Sequence, residues 1–115
     1  MKFGMLYKQG EIVIVPFPFS DLSNIKQRPV LVLSKTIENE KNEDIITCGI
    51  TSNLKDSIHS ILIENENLQD GSIPNRSRIK LDKLFTLNQN MIKKRIARLN
   101  KETFEKVKKE FIKLI

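Results

Sequence analysis

The sequence predicts a mainly β fold with one C-terminal helix, arranged as a small, strongly curved barrel. Short apolar runs separated by turn residues indicate five to seven strands, and the last segment repeats its apolar residues at helical spacing. The 115 residues include 39% hydrophobic and 30% charged residues, which suits one soluble core. Because the sequence shows neither a repeat nor a long linker, we expect a single domain over residues 1–115.

Four apolar runs predict the strands of the first part of the chain: residues 11–15, 30–33, 44–50 and 58–63. The first run should end at Pro16 and Pro18, because proline removes a ladder donor, and the second should begin directly after Pro29. The polar stretch at residues 35–43 predicts a loop, and residues 65–77, with Asp-Gly and Ile-Pro, predict an irregular connection.

The second part of the chain predicts two more strands and the helix. Residues 78–81 alternate polar and apolar side chains, and residues 83–85 break that phase, which indicates a bulge or bend. A further strand is expected within residues 92–99. Asn100 is a suitable N-cap for the helix that follows.

The predicted helix has one apolar face and two favourable charge pairs. The apolar positions at helical spacing are Phe104, Val107, Phe111, Ile112 and Ile115. Glu102 with Lys106, and Glu105 with Lys109, are spaced for ion pairs between residues four apart.

Composition excludes several classes of site. The single cysteine, Cys48, lies in an apolar run and is expected in the core, while the single histidine, His59, is interpreted as an ordinary strand residue. With one residue of each kind, neither an internal disulfide nor a Cys/His zinc site can form, and any metal would have to bind carboxylates. We expect no metal site and no cofactor. The lack of a signal peptide and of a long apolar run predicts a cytoplasmic protein without membrane attachment.

The net charge of +6 is unevenly distributed. Residues 75–115 carry thirteen Lys/Arg and four Asp/Glu, whereas residues 1–74 carry seven and ten. Segregated positive charge attracts polyanions, either nucleic acid or an acidic protein segment. A solvated lysine-rich surface explains the same charge equally well.

Two features are suited to binding phosphate. Pro29 restricts Arg28 to an extended backbone, so its guanidinium should project from the start of a strand toward a loop rim. Thr51 and Ser52 end another strand with two hydroxyls, which can bond a phosphate or the 2′-OH of RNA.

Five segments occur together in a characteristic order: GEIV (residues 10–13), PFPF (16–19), KQRPVLVLS (26–34), ITS (50–52) and RL (98–99). With them the sequence resembles the MazF/PemK toxins of type II toxin–antitoxin systems, from residue 10 to the last helix. The loop at residues 20–25 is short and lacks the histidine of some members.

The resemblance implies an SH3-like barrel with a C-terminal helix, usually as a homodimer, and an endoribonuclease of the mRNA interferase type. The implied activity is sequence-specific, metal-independent cleavage of single-stranded RNA, and the implied partner is a cognate antitoxin. Arg28 and Thr51 match the catalytic pair of the family. The residues expected to bind substrate are Ser52, Lys26, Lys80 and Asp82.

Two other functions remain open at this point. SH3-like folds host many activities, so a non-catalytic module that binds RNA or protein is one alternative. The other is a toxin that poisons DNA gyrase, since a family with that activity shares the barrel.

Overall fold

A computed structural model of the chain describes residues 6–18 and 25–115. The strands are β1 (Glu11–Pro18), β2 (Ile25–Val32), β3 (Asp44–Thr51), β4 (Ser60–Ile63), β5 (Leu68–Gly71), β6 (Ser77–Asn88) and β7 (Lys94–Leu99). The α-helices are α1 (Thr36–Lys41) and α2 (Lys101–Leu114), and short 3₁₀ turns cover Asn65–Asn67 and Gln89–Met91. The short loop predicted at residues 20–25 lies almost wholly outside the described residues.

The described strands form one antiparallel sheet that curls into a half-barrel. Its order is β4-β6-β3-β2-β1-β7-β5, and β6 is long enough to pair with both β3 and β4. The predicted fold class, a curved and mainly β structure with a C-terminal helix, is confirmed.

Both faces of the sheet bury apolar residues. The helix-side cluster includes Ile12, Leu31, Cys48, Ile79 and Val107, with Phe104 and Phe111 of α2 packed against it. The opposite cluster comprises Tyr7, Val13, Val15, Val30, Val32, Ile45, Leu87 and Ile92. Because successive strand residues point to opposite faces, the continuous runs in β1, β2 and β3 supply both clusters at once.

Strands β1 and β2 are longer than predicted because their prolines lie where one neighbouring strand is missing. β1 pairs with β7 only as far as Ile14, so Pro16 and Pro18 continue the strand without costing a ladder bond on that side. β2 likewise begins at Ile25, and Pro29 lies within it, paired with Ile14 of β1.

The loop predicted at residues 35–43 is wrong, because Thr36–Lys41 is helical. Asn39 is buried there, and its Nδ2 donates to the carbonyl oxygen of Tyr7 at 2.9 Å. Gln89 Nε2 donates in turn to the carbonyl oxygen of Asn39 at 2.9 Å. These contacts join distant parts of the chain, so the polar composition of the segment did not reveal them.

Helix α2 confirms the predicted start but only part of the predicted face. Asn100 Oδ1 accepts a hydrogen bond from the Thr103 N–H at 2.8 Å, as an N-cap does. Ile112 is 65% exposed, because it lies about 100° around the helix from Phe111, and Ile115, which is 84% exposed, follows the last residue of α2.

The predicted charge pairs of α2 are also replaced, by Glu105 with Lys108 and Glu110 with Lys113. Within the part of the chain that the structure describes, no helix is long and apolar enough to cross a membrane.

Candidate functional site

A cavity of about 690 Å³ opens where β2 and β3 separate. The ladder between these strands runs from Val32 opposite Thr47 to Val30 opposite Gly49. It stops at Pro29, which has no N–H to donate. Continued by two residues in the same register, the ladder would place Arg28 opposite Thr51, and both residues line the cavity.

The described residues that line the cavity come from three strands and one loop. They are Arg28, Pro29, Gly49, Ile50, Thr51, Asn53, Lys55, Asp56, Ser57, Lys80, Lys83 and Phe85. Three residues predicted from the sequence, Arg28, Thr51 and Lys80, are therefore brought together. Lys26 and Ser52 are exposed and are not among the lining residues.

Arg28 is held by the sheet on one side and faces the cavity on the other. Its backbone pairs with Val15 of β1, so Arg28 lies inside β2. The prediction from the sequence, which had Arg28 at the start of the strand, is therefore wrong. The extended conformation expected from Pro29 is confirmed by this pairing. The side chain is partly exposed, as a group that meets a ligand must be.

Thr51 is the last residue of β3 and its hydroxyl is oriented by the next turn. Its Oγ1 accepts a hydrogen bond from the Asn53 N–H at 3.1 Å. This bond uses a lone pair of the oxygen and not its hydrogen, so the hydroxyl can still donate to a phosphate oxygen. Gly49, two residues earlier, adds no side chain to the floor of the cavity.

A bulge in β6 supplies the second cationic wall. The register with β3 changes from Gly49 opposite Lys80 to Cys48 opposite Leu84, so the residues between them on β6 are unmatched. The predicted bulge is thus confirmed, and it brings Lys83 and Phe85 to the cavity. Asp82 is in the bulge, with Oδ1 4.0 Å from Lys80 Nζ, and does not itself line the cavity.

Residues 52–59, here called the β3–β4 loop, form the third wall. Lys80 Nζ donates to Ser57 Oγ at 2.6 Å. Arg78, two residues earlier on the same face of β6, donates from Nε to the carbonyl oxygen of Leu54 at 3.0 Å. Its Nη1 also lies 3.3 Å from Asp56 Oδ1. Side chains of β6 therefore fix the position of this loop.

The charges around the cavity are strongly unequal. Among its described lining residues, Arg28, Lys55, Lys80 and Lys83 are cationic and Asp56 is the single carboxylate. A concave surface with one dominant sign of charge concentrates the field and attracts ions of the opposite sign. The arrangement can bind a phosphate and stabilise negative charge that develops on it.

The single cysteine and the single histidine of the sequence are not among the residues that line the cavity. Cys48 is fully buried in the helix-side cluster, as expected, and burial raises the pKa of its thiol to about 12. His59 is not a strand residue: it occupies the turn before β4 with φ of 57°, and its Nδ1 lies 3.3 Å from Glu110 Oε2 of α2.

Sequence reasoning missed most of the β3–β4 loop as well as Arg78, Lys83 and Phe85. The alternation of Arg78, Ile79 and Lys80 was a usable signal, since it places both cations on one face of β6. Nothing in the polar loop sequence indicated that it folds back over that face.

The family model described as "PemK-like, MazF-like toxin of type II toxin-antitoxin system" matches residues 8–115. No curated protein matches the sequence significantly.

Several solved structures share the fold. An endoribonuclease from a mycobacterial species has a TM-score of 0.76 at 14% identity, over 97% of this chain and 93% of that chain. A mycobacterial endoribonuclease in complex with its cognate antitoxin has a TM-score of 0.71 at 15% identity, over 93% and 92%. The MazE–MazF structure from Deinococcus radiodurans has a TM-score of 0.78 at 17% identity, over 96% of each chain.

Proposed function

We propose that this chain, which belongs to the PemK-like, MazF-like toxins of type II toxin–antitoxin systems, is an endoribonuclease that cleaves single-stranded RNA at specific sequences without a metal ion. The observation that carries the proposal is the meeting of Arg28 and Thr51 at one cationic cavity of about 690 Å³. A guanidinium and a hydroxyl at this spot are suited to a phosphodiester. Structural relatives that are named endoribonucleases support the same activity.

Cleavage would use the 2′-OH of the substrate as the nucleophile. Its oxygen forms a bond to phosphorus while the bond from phosphorus to the 5′-oxygen breaks, giving a 2′,3′-cyclic phosphate and a 5′-OH. The 2′-OH loses one proton and the 5′-oxygen gains one, so the reaction releases no net proton. No water is consumed, so the protein must orient the chain and neutralise charge on the phosphoryl oxygens.

Arg28 and Thr51 divide this task. The guanidinium of Arg28 can offer a two-pronged set of N–H donors to the phosphoryl oxygens, where charge grows in the transition state. A guanidinium keeps its proton at ordinary pH, so Arg28 stabilises charge and is not the proton donor. Thr51 donates its hydroxyl hydrogen to the phosphate or accepts from the 2′-OH, which fixes the attacking geometry.

The other predicted substrate residues contribute unequally. Lys80 lines the cavity and binds the adjoining phosphate as a point charge. Asp82 acts on Lys80, whose ammonium it approaches at 4.0 Å. Lys26 and Ser52 are exposed outside the lining, where they meet flanking nucleotides of a longer RNA.

Membership of the same family also supports two binding partners, a cognate antitoxin and a second copy of this chain. A cognate antitoxin would bind the chain, as in the solved toxin–antitoxin complexes, and an acidic segment would suit the cationic cavity. Exposed apolar residues such as Ile46 and Leu84, at 49% and 45%, are available to a second copy in a homodimer. We expect the protein to act in the cytoplasm, where it would meet cellular RNA.

The test is cleavage of a mixed pool of unstructured RNA in EDTA, with every cut end mapped by sequencing. Wild-type protein should give 5′-OH ends that share a short sequence, and Arg28→Ala should give almost none. Tight RNA binding without cut ends would replace the proposal with a binding module. DNA damage in cells whose RNA stays intact would replace it with gyrase poisoning.

A further inference from the structure

The carboxylate of Asp56 is out of place in a site for RNA phosphates. It lines the cavity together with four cationic side chains. A negative charge there repels every phosphate of the substrate, so it weakens backbone binding. A carboxylate accepts hydrogen bonds and cannot donate them, so its partners in RNA are the N–H groups of a base or a ribose 2′-OH. Of these two, only the base differs from one RNA sequence to another.

Asp56 is held in position although its side chain is 86% exposed. Arg78, whose side chain is only 15% exposed, lies with Nη1 3.3 Å from Asp56 Oδ1. The same guanidinium donates to the Leu54 carbonyl oxygen and, at 3.2 Å, to Ser60 Oγ. One fixed arginine therefore ties the β3–β4 loop to β6 and sets where the carboxylate lies.

We propose that Asp56 selects the base next to the cut, with a preference for guanine, and that Arg78 is its positioning residue. Unpaired bases of single-stranded RNA present their Watson–Crick edges to the protein. Guanine presents two adjacent N–H donors there, from N1 and N2, which match the two oxygens of a carboxylate. Uracil offers one donor, and adenine and cytosine offer an amino group beside an acceptor.

The contact with Arg78 leaves the carboxylate able to accept these bonds. An ionised carboxylate has about four lone-pair sites on its two oxygens, and one contact to Nη1 occupies only part of this capacity.

This inference rests on the proposed RNA cleavage, and the experiment separates the two. Cut ends from a mixed RNA pool are mapped for wild type, Asp56→Asn, Arg78→Ala and Arg78→Lys. The relative kcat/KM is then measured on oligonucleotides that differ only at the selected base. Asp44→Asn is the matched control, because Asp44 is an exposed carboxylate at the other end of β3. Loss of any negative charge raises the affinity for RNA in general. The ratio of kcat/KM between two substrates cancels this gain, because it applies to both.

Wild type should prefer guanine at one position beside the cut, and Asp56→Asn should reduce that preference about tenfold. An amide has one acceptor and one donor, so the same variant should gain activity on adenine at that position. Arg78→Ala should reduce the guanine preference similarly, Arg78→Lys should restore part of it, and Asp44→Asn should change nothing.

A wild-type pattern without guanine, or an unchanged preference in Asp56→Asn, would overturn the inference while the nuclease activity stands. Absence of cutting by wild type would overturn the proposed function and this inference together.

Discussion

Two arginines of the molecule illustrate different uses of positive charge. Arg95 of β7 donates from Nε to Glu11 Oε2 and from Nη2 to Asp70 Oδ1, so two carboxylates surround one cation. Arg28 lines a cavity in which, among the described residues, four cations face one carboxylate. The first arrangement is electrically complete within the protein, and the second is suited to an external anion.

The difference shows that net charge alone does not locate a site. Hydrogen bonding to Glu11 raises the pKa of Arg95 above its usual value. The charge of Arg95 therefore interacts with carboxylates of the protein itself. Two cations of α2, Lys108 and Lys113, pair with glutamates of the same helix. Lys80 and Lys83, on either side of Asp82 in β6, instead line the cavity.

The largest expected effect is the loss of activity in Arg28→Ala. Removal of one preorganised donor to a developing negative charge should lower kcat on the order of 10²- to 10³-fold. Thermal unfolding should shift little, because the side chain is partly exposed and the backbone pairing with Val15 is kept. Single-turnover cleavage and a melting curve measure both. Lys41→Ala in α1, with the same loss of charge, is the control and should keep full activity.

The reverse result is expected for Arg95→Ala, which leaves the Glu11 carboxylate buried without its main partner. Glu11 is only 6% exposed, so the variant should lose about 2 kcal/mol of unfolding free energy. Denaturant unfolding measures this loss. Below the new melting temperature the rate of RNA cleavage should remain near that of wild type. A strong loss of kcat with unchanged stability would show that the two arginine sites are not separate in function.

The pH dependence of stability provides a third test, on the opposite face of β3. Burial raises the pKa of Cys48 to about 12, so the folded thiol stays protonated where the unfolded one has ionised. Its contribution to stability is therefore complete below about pH 9 and is lost as pH rises toward 12.

Wild type should lose about 1 kcal/mol more than Cys48→Ala between pH 9 and pH 10 in denaturant unfolding. The comparison of the two proteins removes the effect of the lysines and of Tyr7 on the pH dependence, since these groups are present in both. Equal pH profiles would mean that the thiol reaches solvent.

The smallest expected effect concerns the salt dependence of RNA binding. Each cation that neutralises a phosphate of single-stranded RNA contributes about 0.7 to the slope of log affinity against log salt. Lys80→Gln should reduce the slope by about this amount, and Arg95→Ala should leave it unchanged. Titrations of a short RNA at several salt concentrations measure it. Equal slopes in wild type and Lys80→Gln would remove Lys80 from the binding surface.

Much of the fold was predictable because its signals are local. The apolar runs of β1, β2 and β3, the Asn100 cap and the broken phase at residues 83–85 each depend on neighbours in the sequence. The positions of Arg28 beside Pro29 and of Thr51 at a strand end suggested phosphate binding, and the resemblance to the MazF/PemK toxins implied that the two residues form the catalytic pair. The helix at residues 36–41 could not be predicted, because it depends on contacts from Asn39 to Tyr7 and Gln89.

The sequence by itself determined the apolar runs of most strands, the segregation of positive charge and the proline at which one ladder ends. It did not reveal β5, which lies where an irregular connection was predicted. Tertiary structure alone decided which cations line the cavity and which lie elsewhere, because both outcomes depend on strand register and on a bulge far along the chain. The tertiary structure also decided that Arg78 lies beside Asp56 at the cavity. That contact joins the β3–β4 loop to β6, so the local sequence around either residue does not reveal it. Charge is a property of composition, whereas the field at a site depends on where the counter-charges lie.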